Sequence, residues 1–248
     1  MCVLLFAAAA DDKDEVAKAA KDLKSKDVKV RLKAVEKLAD LGDDASRPLC
    51  DAMLDSSPKV AQAALVALEK ANPKLYKPVS ALVLDAERSS RSFALKEIGK
   101  FREDGRPAIN LLIARCKAEL AQERSFARFA TTDAPTYIET TIKIGGDCDE
   151  CIRFMKALTA DPHPWANQEA LQKLVAWAGD DEKRKKELLP VIKAQIQDDA
   201  NAVPFIKAAG DYGALSKDML PSLKKLKLSK ITAVREAATG AVESIEKP

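Results

Sequence analysis

A thirty-residue period constrains this chain more than any other feature. Ala34, Ala64 and Ala94 fall 30 positions apart, as do Val35, Leu65 and Leu95, and Leu38, Leu68 and Ile98. Pro48, Pro78 and Pro107 keep the same beat with a slip of one. Ser25, Asp55 and Asp85 each stand shortly before an apolar helical pattern, where N-caps belong. A fixed period of this length marks stacked supersecondary units, none of which can bury its apolar face alone.

Each unit reads as two helices. The first helix of the first unit is expected from about Lys29 to Leu41, stopping at Gly42. The second is expected from near Arg47-Pro48, with proline in its tolerated first turn, to Leu54. Ala34, Val35, Leu38 and Leu41 follow helical spacing and give one apolar stripe. Downstream the period loosens. Tyr137-Ile138 to Ile144-Gly145, Asp161-Pro162-His163-Pro164-Trp165 with Ala170, Leu174 and Trp177, and Val203 to Gly213 open further units. Val234-Arg235-Glu236-Ala237-Ala238, with Val242 and Ile245, begins a half-unit that would cap the end. Composition agrees, since aromatics are 5% of the chain and Ala, Leu and Lys recur throughout.

Val30-Arg31-x-x-Ala34, Leu38, Leu41-Gly42-x-x-Ala45, Pro48-Leu49 and Val234-Arg235-x-x-Ala238 resemble HEAT repeats. The nearest subtype is the short one named after the phycobilisome-lyase family. The resemblance covers roughly residues 25–246. It implies an all-α fold, a right-handed α-solenoid of about six and a half helical hairpins, in one domain over residues 13–248. It also implies a concave surface, lined by the second helices, that binds a partner protein. Fold-level likeness carries no reaction. Each unit is expected to touch only its neighbours, in an elongated monomer.

Several function classes fall away. A single His excludes a His-rich metal site and argues against a His-based triad. Net charge is +3, with 23 basic and 20 acidic residues before position 125 and 18 of each after it. No basic face stands out, so nucleic acid is not an expected partner. Gly145-Gly146 lacks the spacing and Lys of a phosphate loop. No catalytic constellation, cofactor motif or transmembrane segment is legible, and the expectation is a protein that is not an enzyme. The leading reading is an interaction or scaffold module. The alternatives are a HEAT-like nucleic-acid-binding protein or alkylpurine glycosylase, and a helper of bilin attachment suggested only by the subtype's name.

Two sets of residues are candidate sites. Cys148-Asp149-Glu150-Cys151 follows the glycine pair, with Cys151 at the expected start of a helix, where amide groups stabilise a thiolate. The pair reads as a structural disulfide, plain thiols, a redox pair or, least favoured, part of a metal site. In a cytoplasmic protein the pair is expected to stay reduced, with Cys151 the more reactive of the two if it caps a helix. The other cysteines stand apart: Cys50 and Cys116 lie in apolar helical patterns and read as buried small hydrophobes.

The second set is arginines. Arg88, Arg91, Arg102, Arg106, Arg115, Arg124 and Arg128 are seven of the chain's twelve. Arg88, Arg91, Arg102, Arg106, Arg124 and Arg128 make a candidate anion- or partner-binding patch. The nearby acids Glu97, Glu103, Asp104, Glu119 and Glu123 favour a salt-bridged surface instead. Lys183-Arg184-Lys185-Lys186 and Lys224-Lys225-x-Lys227 read as solubility features, and Trp165 and Trp177 as stripe residues. Met1 to Phe6 followed by Ala7 to Ala10 reads either as the end of a secretory signal, making residues 1–12 a remnant, or as an apolar helix start. The first reading implies export to a periplasm or cell envelope, the second a cytoplasmic protein. Export would favour a Cys148–Cys151 disulfide.

Overall fold

The structure is a computed structural model that describes residues 13–85, 87–125 and 133–247. The 1–12 segment and Arg128 lie outside the described residues. The described residues are all-helical and contain no strand. Contacts gather them into two compact units that meet between Cys151 and Ile152.

The first unit holds α1 (residues 13–22), α2 (Val28–Leu38), α3 (Ser46–Ala52), α4 (Pro58–Ala71), α5 (Pro73–Leu84), α6 (Arg88–Lys100), α7 (Ile109–Ser125), α8 (Ala134–Gly145) and the first turn of α9 (Asp149–Leu158). The second holds the rest of α9, α10 (Pro164–Ala178), α11 (Glu182–Ala194), α12 (Val203–Asp211), α13 (Leu220–Leu226) and α14 (Thr232–Glu246). The thirty-residue stripe is the core. Ala34, Ala64 and Ala94, with Leu38, Leu68 and Ile98, are all fully buried. Small residues at these positions let helices approach closely. In the second unit a Cβ on Gly210 would come 2.9 Å from the Ala241 backbone, so α12 and α14 touch main chain to main chain.

Helix starts differ from the expectation by two residues. The caps are Asp27, Ser57 and Glu87, whereas Ser25, Asp55 and Asp85 sit two positions earlier. There each side chain accepts the cap residue's backbone N–H: Asp27 N to Ser25 at 3.2 Å, Ser57 N to Asp55 at 2.7 Å, Glu87 N to Asp85 at 2.9 Å. Asp161 and Ser229 do the same for His163 and Ile231. These are Asx- and Ser-type turns that aim the chain into each helix.

The fourth helical position after several of these caps carries a second device. Arg31 donates from Nη1 to the Ser25 carbonyl at 2.8 Å, and Arg235 does the same to Ser229 at 2.8 Å. Arg31 then reaches the next turn, gripping both oxygens of Asp55 at 2.7 and 2.9 Å. That buried fork ties one turn to the next. At the matching place in the second unit stands Asn167, whose Nδ2 donates to the Asp161 carbonyl at 3.3 Å while its buried Oδ1 has no partner. The shorter side chain leaves a polar hollow of about 260 Å³ lined by Asp161, Gln195, Asp199 and Asn201. A guanidinium there would meet the carboxylates of Asp161 and Asp199 and the amide side chains of Gln195, Gln197 and Asn201. Asn167→Arg should therefore stabilise the protein by about 1 kcal/mol, since it supplies a missing charge-assisted donor. Differential scanning calorimetry should show a midpoint raised by about 2–4 °C; a lower midpoint would mean that the hollow cannot admit the side chain.

Neighbour-only contact does not hold in the first unit. Alpha-helix α3 packs on the 3-10 segment Arg102–Ala108 and on α7. Asn110 Nδ2 donates to Asp51 Oδ1 at 2.9 Å, and Arg47 Nη2 reaches Glu150 Oε1, 103 positions away, at 3.0 Å. Long polar side chains on α3 make this crossing, and charge pairing at such reach has no periodic signature.

Candidate functional site

The turn between α8 and α9 gathers the most chemistry. Alpha-helix α8 ends at Gly145, and Gly146 follows with φ of +56°, a conformation that favours glycine. The chain then turns so that Cys148 immediately precedes α9 and its N–H donates to the Gly145 carbonyl at 3.0 Å. Cys151 falls in the first turn, and its N–H points back at Cys148 Sγ, 3.3 Å away. This is side-chain capping with sulfur in place of oxygen. The two sulfurs stand 2.6 Å apart.

The cysteines are not equivalent. Cys148 is half-buried, whereas Cys151 is enclosed and directs its thiol at the Thr141 carbonyl, 3.6 Å away. Burial, then the hydrogen bond with Cys148, pushes the Cys151 thiol well above the usual thiol range, and the Arg106 charge only partly opposes this. The condition attached to a more reactive Cys151, that it caps the helix, is not met. Cys151 lies three positions into the turn with its sulfur inside, and Cys148 holds the capping place. A Cβ on Gly145 would collide with Cys151 Sγ and come 3.1 Å from Cys148 Sγ, so glycine is what admits both sulfurs.

Two arginines frame this turn. Arg106 stands beside Gly146 and pairs with Glu103 at 3.2 Å, while its buried Nε has no partner. Arg47 bridges the Arg106 carbonyl at 3.5 Å and Glu150. Sequence reading missed Arg47, since one arginine in a helical stripe carries no signal of a partner a hundred residues on. Among the described residues the other two cysteines, Cys50 and Cys116, are buried. Burial, then the neighbouring Asp51 charge, raises Cys50 to about 12.

Of the candidate arginine patch, Arg91, Arg102 and Arg106 have described side chains. Arg91, in the first turn of α6, faces Asp133 at 3.3 Å and Glu119 at 3.9 Å. Arg102 is exposed with φ of +50°, and Arg106 belongs to the cysteine turn. Arg88 opens α6 and Arg124 lies near the end of α7. The described ion pairs of this set join Arg91 to acids on other segments and Arg106 to Glu103, three positions before it.

In the second unit the basic run also folds onto its surroundings. Arg184 lies 4.9 Å from the Trp177 ring centre and donates to the Trp177 carbonyl, and Lys185 lies 5.9 Å from that of Tyr212. Trp165 meets His163 rather than Trp177 among the recorded ring contacts, at 6.2 Å between centroids.

Each unit also carries an open apolar trough. In the first it runs between α2 and α4 over Ala39, Ala63 and Ala67, with Val66 61% exposed and Glu36, Lys59 and Lys70 at its rim. In the second it runs between α12 and α14 over Gly210, Ala237 and Ala241, with Lys207, Asp211 and Glu236 at its rim. Among the described residues no cluster of three or more metal-ligating side chains occurs, and no helix is long and apolar enough to cross a membrane. No protein-family model matches the chain, and no curated protein matches it.

Proposed function

We propose that this protein is a non-catalytic interaction module, a HEAT-like stack of helical hairpins that holds a partner protein against its helical surface. The recurrence of one trough carries this reading. In both units it lies between the first helices of consecutive hairpins, has alanines in its floor (joined by glycine in the second) and is rimmed by charges of both signs. A floor of small residues admits a helix at close approach, and mixed rim charges select its register. The occupant proposed is an amphipathic helix with a narrow apolar ridge, laid along the trough as in other helix-in-groove complexes. This moves the expected partner surface from the second helices to the first. Against nucleic acid stand the near-neutral charge and the engagement of the basic run by Trp177, Tyr212 and Glu182.

A photo-crosslinking residue placed at Gln62, inside the trough, should give one discrete protein adduct in native-host lysate. The same residue at exposed Glu69, outside it, should give none. Val66→Asp should abolish the Gln62 adduct. Equal labelling at both positions would overturn the trough, and a nuclease-sensitive adduct would favour the nucleic-acid reading.

A further inference from the structure

We propose that Cys148 and Cys151 form a thiol–disulfide exchange site, with Cys148 as the attacking thiol and Cys151 as the resolving one. The inference does not depend on the trough, and it adds an activity at this turn, so that the non-catalytic reading applies to the trough alone. It rests on four features of the α8–α9 turn. Cys148 is the reachable sulfur, at the capping position of a ten-residue helix. The Cys151 amide, 3.3 Å from it, directs its N–H at that sulfur. Cys151 is enclosed and 2.6 Å away, so among the described residues its covalent partner within reach is Cys148. Gly145 leaves room for both sulfurs, and the Arg106 guanidinium adds positive charge beside the turn.

The steps balance with a disulfide as the oxidant. Cys148 loses its proton and attacks one sulfur of R–S–S–R′. A Cys148–S–R bond forms, the S–S bond of the substrate breaks, and R′S⁻ leaves and takes up a proton. Cys151 then loses its proton and attacks the Cys148 sulfur. The Cys148–Cys151 bond forms, RS⁻ leaves and is protonated. Two electrons pass from the dithiol to the substrate, which ends as RSH and R′SH. An external dithiol reverses the sequence. The ring joins residues only three apart, so oxidation constrains little of the unfolded chain. That keeps the couple easily reducible rather than locked as a structural bridge. Burial encloses Cys151 and raises its thiol above the usual range, so the first attack falls to Cys148.

The test uses the full chain carrying Cys2→Ser, reduced and then desalted. Brief iodoacetamide treatment, mapped by mass spectrometry, should modify Cys148 at least about tenfold faster than Cys50, Cys116 or Cys151. With glutathione disulfide the protein should end as an internal Cys148–Cys151 disulfide and release two glutathiones per chain. Cys151→Ser, or Cys151→Ala if the serine variant loses its helical spectrum, should instead accumulate one glutathione on Cys148. Cys148→Ser should do neither. A parallel assay of insulin reduction by dithiothreitol distinguishes protein disulfides from low-molecular-weight ones as the substrate. Cys148 alkylation no faster than Cys50, or equal adduct yields in the Cys148 and Cys151 variants, would overturn the proposal.

Discussion

Ala64→Asp should lower the unfolding free energy by about 4 kcal/mol, while Lys59→Asp, five positions earlier on the same helix, should change it by less than about 0.5 kcal/mol. Ala64 is fully buried on α4, where the stripe meets its neighbours. A carboxylate buried among apolar side chains enters either charged at a desolvation cost or neutral and strained for space. Lys59 is exposed in the first turn of α4, where an acid even complements the helix dipole. Urea denaturation followed by circular dichroism measures both. Equal shifts would mean that the thirty-residue register does not define the core.

Removing one half of the Arg31–Asp55 fork is the second large effect. Asp55→Ala should cost about 3 kcal/mol, because it strands a buried guanidinium and frees the Ser57 amide together. The fork also gives the protein an acid limb. Burial opposes ionisation of Asp55, but hydrogen bonds from Arg31 and the Ser57 amide, with the guanidinium charge, outweigh it and hold the carboxyl below its ordinary value. A folded-state pKa below the unfolded one makes the contribution complete above the unfolded value of about 3.9. It shrinks as pH falls beneath that and is gone below the folded pKa. The wild type should therefore lose stability below about pH 4 more steeply than Asp55→Ala does. Parallel slopes in urea titrations from pH 6 to pH 2.5 would show that the pair is not coupled to folding.

Both effects follow from residues visible at different depths in the sequence. The stripe was legible, because Ala34, Ala64 and Ala94 with Leu38, Leu68 and Ile98 recur at helical spacing and each lies in the core. The turns were legible as turns, although Ser25, Asp55 and Asp85 stand before the caps rather than at them. The error has a physical source. Ser and Asp bind a backbone N–H two or three residues on, and composition cannot distinguish the two uses. The cysteine pair was legible as a motif, but the roles of its members were not. A Cys-x-x-Cys spacing puts both sulfurs near one helix start, and a shift of the first helical residue decides which of them caps it and which is buried.

The sequence by itself determined the all-helical class, the thirty-residue beat and the residues that must be buried, because helix propensity and a 3.6-residue period act over a few neighbouring side chains. Tertiary structure alone decided that Arg47 meets Glu150, that Asn167 leaves a hollow where Arg31 fills one, and that Cys148 rather than Cys151 is the reachable sulfur. Those outcomes depend on which surfaces come within a few ångströms of one another after the helices pack. Electrostatic pairing and burial are set by that proximity, not by separation along the chain.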